Sequence, residues 1–258
     1  MKITSVNNDL IKETAKLLQK KYRDESGLFL LEGEKCIEEA AKFGIKITNI
    51  FVLEGHNTFK DDNVIETTEA VLSKISSTTT APKAVAVGKQ IKPEWSKNYK
   101  KVILLENIKD AGNLGTILRT SAAFNIDAVI LYGDTVDLYN PKCVRSSVGN
   151  LWKIPVFCGG KWDKLGKCKD NNIDWLRTKF NDFERIATLP KSENTVWLKD
   201  YKPAEKVLVM FGAESTGLSD ELKNFATKNL TIEMNDSVES LNLSISAGIV
   251  LYKISSLC

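Results

Sequence analysis

Two four-residue apolar runs, Val102-Ile-Leu-Leu105 and Ala128-Val-Ile-Leu131, bracket the segment Asn107-Ile-Lys-Asp-Ala-Gly-Asn-Leu-Gly-Thr-Ile-Leu-Arg-Thr-Ser-Ala-Ala-Phe124. A buried run, a polar turn with two glycines, a helical stretch and a second buried run spell strand, turn, helix, strand. Parallel strands need such a crossover between them. The unit therefore commits this part of the chain to a parallel sheet. The pattern continues: strands are expected at 102–105, 128–131, 154–157, 185–189, 207–211 and 230–233. Helices are expected at 113–124, 141–148, 162–170, 218–226 and 240–255. Alternation of this kind predicts a mainly parallel α/β sheet with helices on both faces.

The first ninety or so residues read as a smaller α/β module. Asn8 caps a helix over 8–21 whose apolar positions are Leu10, Ile11, Leu17 and Leu18. A strand at 28–31 follows, then a helix with Cys36, Ile37, Ala40 and Ala41 on one face, ended by Gly44. A strand at 47–53, a short helix capped by Thr68 and a strand at 84–87 complete it. Gly88 to Lys100 is polar, contains Pro93 and lacks periodicity, as a linker does. The expected domains are 1–95 and 99–258.

Composition excludes several classes. With 258 residues, 43% of them hydrophobic, the chain can bury a core. A net charge of +3 gives no global nucleic-acid signal, so RNA binding would need a local patch. Residues 1–23 offer one, with Lys2, Lys12, Lys16, Lys20, Lys21 and Arg23 against Asp9 and Glu13. The five cysteines make no C-x-x-C pair and are odd in number. That argues for reduced thiols in a cytoplasmic protein and against a zinc site or disulfide framework. The lone His56 sits between Gly55 and Asn57 without a ligand set, and no metal is expected. The N-terminus is charged from Lys2, and no apolar run approaches the ~20 residues that cross a bilayer.

Three strand-to-helix junctions carry the chemistry. In Asp110-Ala-Gly-Asn-Leu-Gly115, leading to Arg119, backbone amides at a helix start can hold a polar ligand beside a fixed cation. In Phe211-Gly-Ala-Glu-Ser-Thr-Gly-Leu218, glycines let the backbone approach a ligand, and Glu214 lies near a helix N-terminus. In Ile232 to Gly248, Ser237 or Ser240 caps the last helix, Asn242 sits in its first turn, and Ser244, Ala247 and Gly248 form a small-residue face. The spacing is neither the G-x-G-x-x-G of dinucleotide folds nor a P-loop.

Taken in order, these elements resemble the SpoU (TrmH-type) branch of the SPOUT RNA methyltransferases. The first motif of that family resembles Asn113-Leu-Gly115 through Arg119-Thr-Ser-Ala122, the second Gly212-Ala-Glu214 through Gly217-Leu218, the third Ser240-Leu-Asn-Leu-Ser244. Asn140-Pro-Lys-Cys-Val-Arg-Ser-Ser-Val-Gly149 resembles a recurrent intermediate segment. The N-terminal module, with Arg23 and Phe29-Leu-Leu-Glu-Gly33, resembles a ribosomal-protein-like substrate-binding domain. Departures are Ala111 for a usual Pro, Asn125 for Gly, Glu233 for Pro, and Asn235-Asp236 in a Gly-rich turn.

The resemblance implies a deep C-terminal trefoil knot, a homodimer, S-adenosyl-L-methionine as cofactor, and methylation of a ribose 2′-hydroxyl in RNA. It implies cofactor contacts from Gly212, Ile232 and Leu241 and catalytic roles for Arg119, Asn113, Glu214, Ser240 and Asn242. A guanidinium keeps its proton in proteins, so Arg119 is expected to hold phosphate and stabilise alkoxide character rather than act as a base. Ribosomal 23S RNA is the expected substrate, because the N-terminal module resembles those of ribosomal enzymes. Transfer RNA, or RNA binding without catalysis, are the alternatives.

Overall fold

The computed structural model describes residues 1–56, 58–60, 63–158, 161–162, 168–169 and 172–255. The chain packs as two compact units, Met1–Lys92 with Asp137–Lys153, and Pro93–Val136 with Ile154–Cys258. The 95/99 division follows the run of sequence; packing adds residues 137–153 to the first unit.

The first unit contains β1 (Lys2–Ile3), α1 (Asp9–Lys16), α2 (Lys20–Ser26), β2 (Leu28–Glu32), α3 (Glu34–Lys42), β3 (Ile47–Leu53), β4 (Val64–Thr67), α4 (Glu69–Lys74) and β5 (Ala84–Lys89). Its sheet runs β1-β4-β3-β5-β2. β4 pairs in parallel with β1 and β3, whereas β5 pairs antiparallel with β2 and β3. The single helix expected over 8–21 is two helices. Asn8 caps the first as expected, accepting from the Leu10 amide, but the chain breaks after Lys16 and restarts at Lys20. The break lets Leu17 bury and turns Arg23 inward, 2% exposed.

Arg23 is therefore no part of a surface patch. Its Nε and Nη2 lie 2.8 and 2.6 Å from Asp137 Oδ2, and Nη1 donates to the Leu17 carbonyl. The other cations of that stretch are mostly paired as well: Lys2 with Glu54, Lys12 with Asp9, Lys16 with Glu13 and Lys20 with Asp24. Among the described residues only Lys21 has no acidic partner there. These pairs are largely exposed and individually weak, yet they cancel most of the positive field read from the sequence.

Residues 137–153 fold as their punctuation dictates. Asn140 accepts from the Lys142 amide and Pro141 opens a helix that ends at Ser146. Arg145 is engaged within the unit: its Nη1 lies 2.6 Å from Glu32 Oε2, while Glu32 Oε1 accepts from the Ser77 amide. Tyr139 and Trp152 pack on Phe29 with ring centroids 4.8 and 5.3 Å apart. Burial, with the Glu32 charge adding to it, pushes the Cys36 thiol up to about 12. Only a thiolate alkylates at a useful rate. Iodoacetamide at pH 8 is thus expected to leave Cys36 unmodified in the native protein and to modify it in urea, read by peptide mass spectrometry.

The second unit contains β6 (Lys101–Glu106), α5 (Ala111–Ala123) and β7 (Ala128–Tyr132); the helix Pro141–Ser146 of the first unit is α6. There follow β8 (Val156–Cys158), β9 (Lys161–Trp162), β10 (Cys168–Lys169), α7 (Ile173–Lys179), β11 (Glu184–Thr188), β12 (Val196–Trp197), β13 (Val207–Phe211), α8 (Asp220–Phe225), β14 (Lys228–Thr231) and α9 (Leu243–Ser255). Seven strands form one parallel sheet in the order β12-β14-β11-β13-β6-β7-β8. The helix expected over 162–170 is not present in its described part, where β9 and β10 pair antiparallel; residues 163–167 and 170 lie outside the described residues. Asn125 adopts φ +52°, a left-handed turn that Asn tolerates. The small-residue face of α9 meets α5: Ala247 is fully buried, and a Cβ on Gly248 would sit 3.8 Å from the Thr120 methyl.

Candidate cofactor cleft

In the large sheet β6 has β7 on one side and β13 on the other, so the strand order reverses at β6. Ligands of open parallel sheets bind beyond the carboxyl ends of the strands at such a point. The turns leaving β6, β11, β13 and β14 all emerge at that edge.

The turn after β6 is set by Asp110, whose carboxylate accepts from the Asn113 amide at 2.8 Å and caps α5. Asn113 then bridges two other turns. Its Nδ2 donates to Glu214 Oε1 at 2.6 Å, and its Oδ1 accepts from Asn242 Nδ2 at 3.1 Å. Asn242 Oδ1 accepts in turn from the Ser244 amide and hydroxyl at 2.9 and 2.6 Å. Asn242, rather than Ser237 or Ser240, thus caps α9; Ser237 is held within its own turn by Asn235. A carboxylate can only accept, so the amide of Asn113 has one permitted orientation and the relay runs from the α9 N-terminus to Glu214.

The turn after β13 is closed by backbone contact. Gly217, at φ +65°, donates to the Ala213 carbonyl at 2.9 Å. A Cβ at Gly212 would lie 2.0 Å from the Gly217 carbonyl carbon and 2.2 Å from the Leu218 nitrogen. Glu106, 3% exposed at the end of β6, accepts from the Ser219 amide at 2.7 Å and ties this turn to the sheet. Tyr132 donates to Glu221 Oε2 at 2.8 Å; burial, then that carboxylate, push its phenol well above the ordinary range.

At this edge lies a cleft of about 170 Å³, open to solvent. Gly212, Ile232 and Leu241 line it, as do Glu214 and Ser240. Asn113 and Asn242 are not among its lining residues; they bond to one another, and Asn113 to the lining residue Glu214. Phe211, Leu189 and Leu243 supply apolar wall. Among the described residues, the only charged ones lining it are Glu214 and Glu239. An acid-only cleft suits a cationic ligand and disfavours a pyrophosphate.

Arg119 stands apart. It is exposed on α5, and among the described residues it has no hydrogen-bond or ion-pair partner. Six residues separate it from Asn113, roughly 9 Å along a helix and about 120° around it. The sequence reading, which brought the two together at the helix start, is corrected in this respect. Thr188, Pro190, Glu239 and Ser246 line the cleft and went unread. The Leu189-Pro190 break just past a strand was the available signal for the first two. Among the described residues no group of three or more His, Cys, Asp or Glu side chains could hold a metal ion.

Residues 100–252 match the SpoU rRNA Methylase family, and residues 8–86 match the MRM3-like substrate binding domain. The chain belongs to the SpoU rRNA methylase family. An uncharacterized tRNA/rRNA methyltransferase of Synechocystis is 30% identical over 97% of this chain and 92% of its own. The 23S rRNA (guanosine(2553)-2'-O)-methyltransferase RlmP of Bacillus subtilis is 29% identical over 97% of each. The AdoMet-bound rRNA methyltransferase of Sinorhizobium meliloti superimposes with a TM-score of 0.83 at 27% identity, covering 98% of this chain and 97% of that one. Within this SpoU chain the second and third motifs line the cleft, and the first is joined to them by the bonds of Asn113 to Glu214 and Asn242.

Proposed function

We propose that this SpoU protein methylates a ribose 2′-hydroxyl of 23S ribosomal RNA with S-adenosylmethionine held in the cleft. The observation that carries this reading is the cleft itself: apolar walls, backbone edges at Gly212, Ile232 and Leu241, and, among the described residues, carboxylates as its only charges. These features fit an adenosine bearing a sulfonium and an ammonium. When bound, that cofactor supplies an electrophilic methyl group.

The chain's own residues do the rest. Gly212, Ile232 and Leu241 hold the adenosine through backbone groups. The Asn113–Glu214–Asn242 relay, with Ser240, fixes the wall against which the ribose is aligned. Arg119 binds the neighbouring phosphate and stabilises negative charge on the 2′ oxygen, remaining protonated throughout. The hydroxyl proton leaves to phosphate or water.

Because Arg119 does not line the cleft of its own chain, the site is completed in a homodimer. Its support is an exposed apolar stripe on α9, Ile245, Ile249 and Tyr252, at 54, 38 and 65% exposure, where Tyr252 also packs on Phe124 of α5. A second copy on this stripe brings one copy's Arg119 toward the other's cleft. The close approach of α9 to α5 supports the trefoil knot of the family. The N-terminal module is read as the rRNA-binding domain, and the protein as cytoplasmic; among the described residues no helix is long and apolar enough to cross a membrane.

Isothermal titration tests the reading: S-adenosylmethionine is expected to bind and NAD not to. Uptake of NAD in preference would refute it. Arg119→Lys is expected to lose about 100-fold or more in single-turnover methylation, since a point charge lacks the bidentate fork, with cofactor affinity unchanged. Near-normal activity with only a moved pH profile would mean that charge alone suffices.

A further inference from the structure

The catalytic unit has a second cleft at the opposite edge of its sheet. Trp95 and Tyr99 precede β6, Asp182 and Phe183 precede β11, and Lys206 precedes β13. These residues therefore stand at the amino ends of the strands whose carboxyl ends build the cofactor cleft. Strands of five or six residues set the two edges roughly 17–20 Å apart. The cleft has a volume of about 410 Å³ and is open to solvent.

Its floor is aromatic and held in place. Trp95 meets Tyr99, Phe157, Trp175 and Phe180 edge-on, at centroid distances of 5.2, 5.0, 5.6 and 5.5 Å. Rings fixed in this way lose little freedom when a ligand stacks on them. Its rim is cationic. Lys179 Nζ lies 5.9 Å from the Trp95 ring centroid, and Lys206 lies 2.6 Å from Asp182. Lys97 also lines the cleft. Among the described residues neither Lys97 nor Lys179 has an acidic partner. Packing of the 93–100 connector accounts for the half-buried Trp95 and Tyr99 but not for Lys97 and Lys179, which line the same cleft without acidic partners among the described residues. The charge is opposite to that of the cofactor cleft.

Stacking surface flanked by free ammonium groups is the chemistry that takes a nucleobase together with its phosphate. We propose that this cleft binds a single-stranded nucleotide of the RNA substrate remote from the methylated ribose, the base against Trp95 and Tyr99 and the phosphate on Lys97 and Lys179. The proposal rests on RNA being the substrate. Its consequence is that the enzyme grips its RNA on two edges of the catalytic unit, so fragments confined to the target nucleotide bind poorly.

The test compares the full-length protein with its K97E/K179E variant, using a 23S rRNA fragment over a range of KCl. The variant is expected to bind at least ten-fold more weakly. Its slope of log affinity against log salt should fall by about 0.7, the contribution of one single-strand phosphate, with unchanged Tm and S-adenosylmethionine affinity. Trp95→Phe, which keeps an aromatic ring in the cluster, is expected to lose RNA-induced fluorescence quenching. Equal affinity and slope in wild type and variant, with wild type methylating the fragment, would overturn the proposal while leaving the function intact. Competition by AMP that the variant abolishes, with RNA affinity untouched, would assign the cleft to a free nucleotide and overturn it too. Wild type that neither binds nor methylates RNA overturns the functional reading first, and the proposal with it.

Discussion

Gly212→Ala is expected to raise the dissociation constant for S-adenosylmethionine by about 100-fold, roughly 3 kcal/mol. The added methyl would sit 2.0 to 2.3 Å from the carbonyl of Gly217 and the nitrogen of Leu218. Those neighbours are backbone, so no rotamer change relieves the clash, and the 212–218 turn must open. Opening it moves Glu214 away from Asn113 and shifts the cleft wall that Gly212 forms. Far-UV circular dichroism is expected to remain native, because Ser219 stays anchored by Glu106 and the strand itself is unchanged. Affinity within three-fold of wild type would show that this turn does not hold the cofactor.

Arg23→Ala is expected to destabilise the protein by about 3–5 kcal/mol, the usual result of stranding one member of a buried ion pair. Asp137 would be left 9% exposed without its two contacts, and the Leu17 carbonyl would lose its donor. The paired replacement R23M/D137L removes both charges and is expected to recover most of that loss in urea denaturation. A single variant costing under ~1 kcal/mol would contradict the burial. The same contacts mean that a chain beginning at Pro93 is no clean catalytic module. It would carry residues 137–153 without Phe29, Glu32 and Arg23, exposing Val144, Leu151 and Trp152, which are at most 7% exposed in the intact protein.

What could be read in advance follows from locality. The buried strands β6, β7 and β13 are continuous apolar runs, and a run of that kind has few other fates. The strands β1 and β12 have two residues each, and β4 (Val64-Ile-Glu-Thr67) carries one turn's worth of signal. Each is made a strand by its neighbour rather than by its own sequence. The break between α1 and α2 was hidden because what drives it, Asp137, lies 114 residues away. The neutralised patch, in contrast, was open to inspection: Lys12, Lys16 and Lys20 have acids three or four residues distant. In the cleft, the turns were legible through Gly212, Gly217, Glu214 and Asn113, residues that ordinary helix starts do not require together. The bonds joining those turns span 101 and 129 residues and have no local trace. The exposed position of Arg119 was likewise invisible, since helical spacing gives a direction but not what lies across from it.

The central claim, methyl transfer to a ribose oxygen, has a direct chemical readout. The full-length protein is incubated with methyl-labelled S-adenosylmethionine and 23S rRNA, and the RNA is digested with alkali. A free 2′-hydroxyl attacks its phosphate and a methylated one cannot, so the label is expected in alkali-resistant dinucleotides. Label recovered in mononucleotides would mean base methylation, and absence of label from RNA would contradict the assignment altogether.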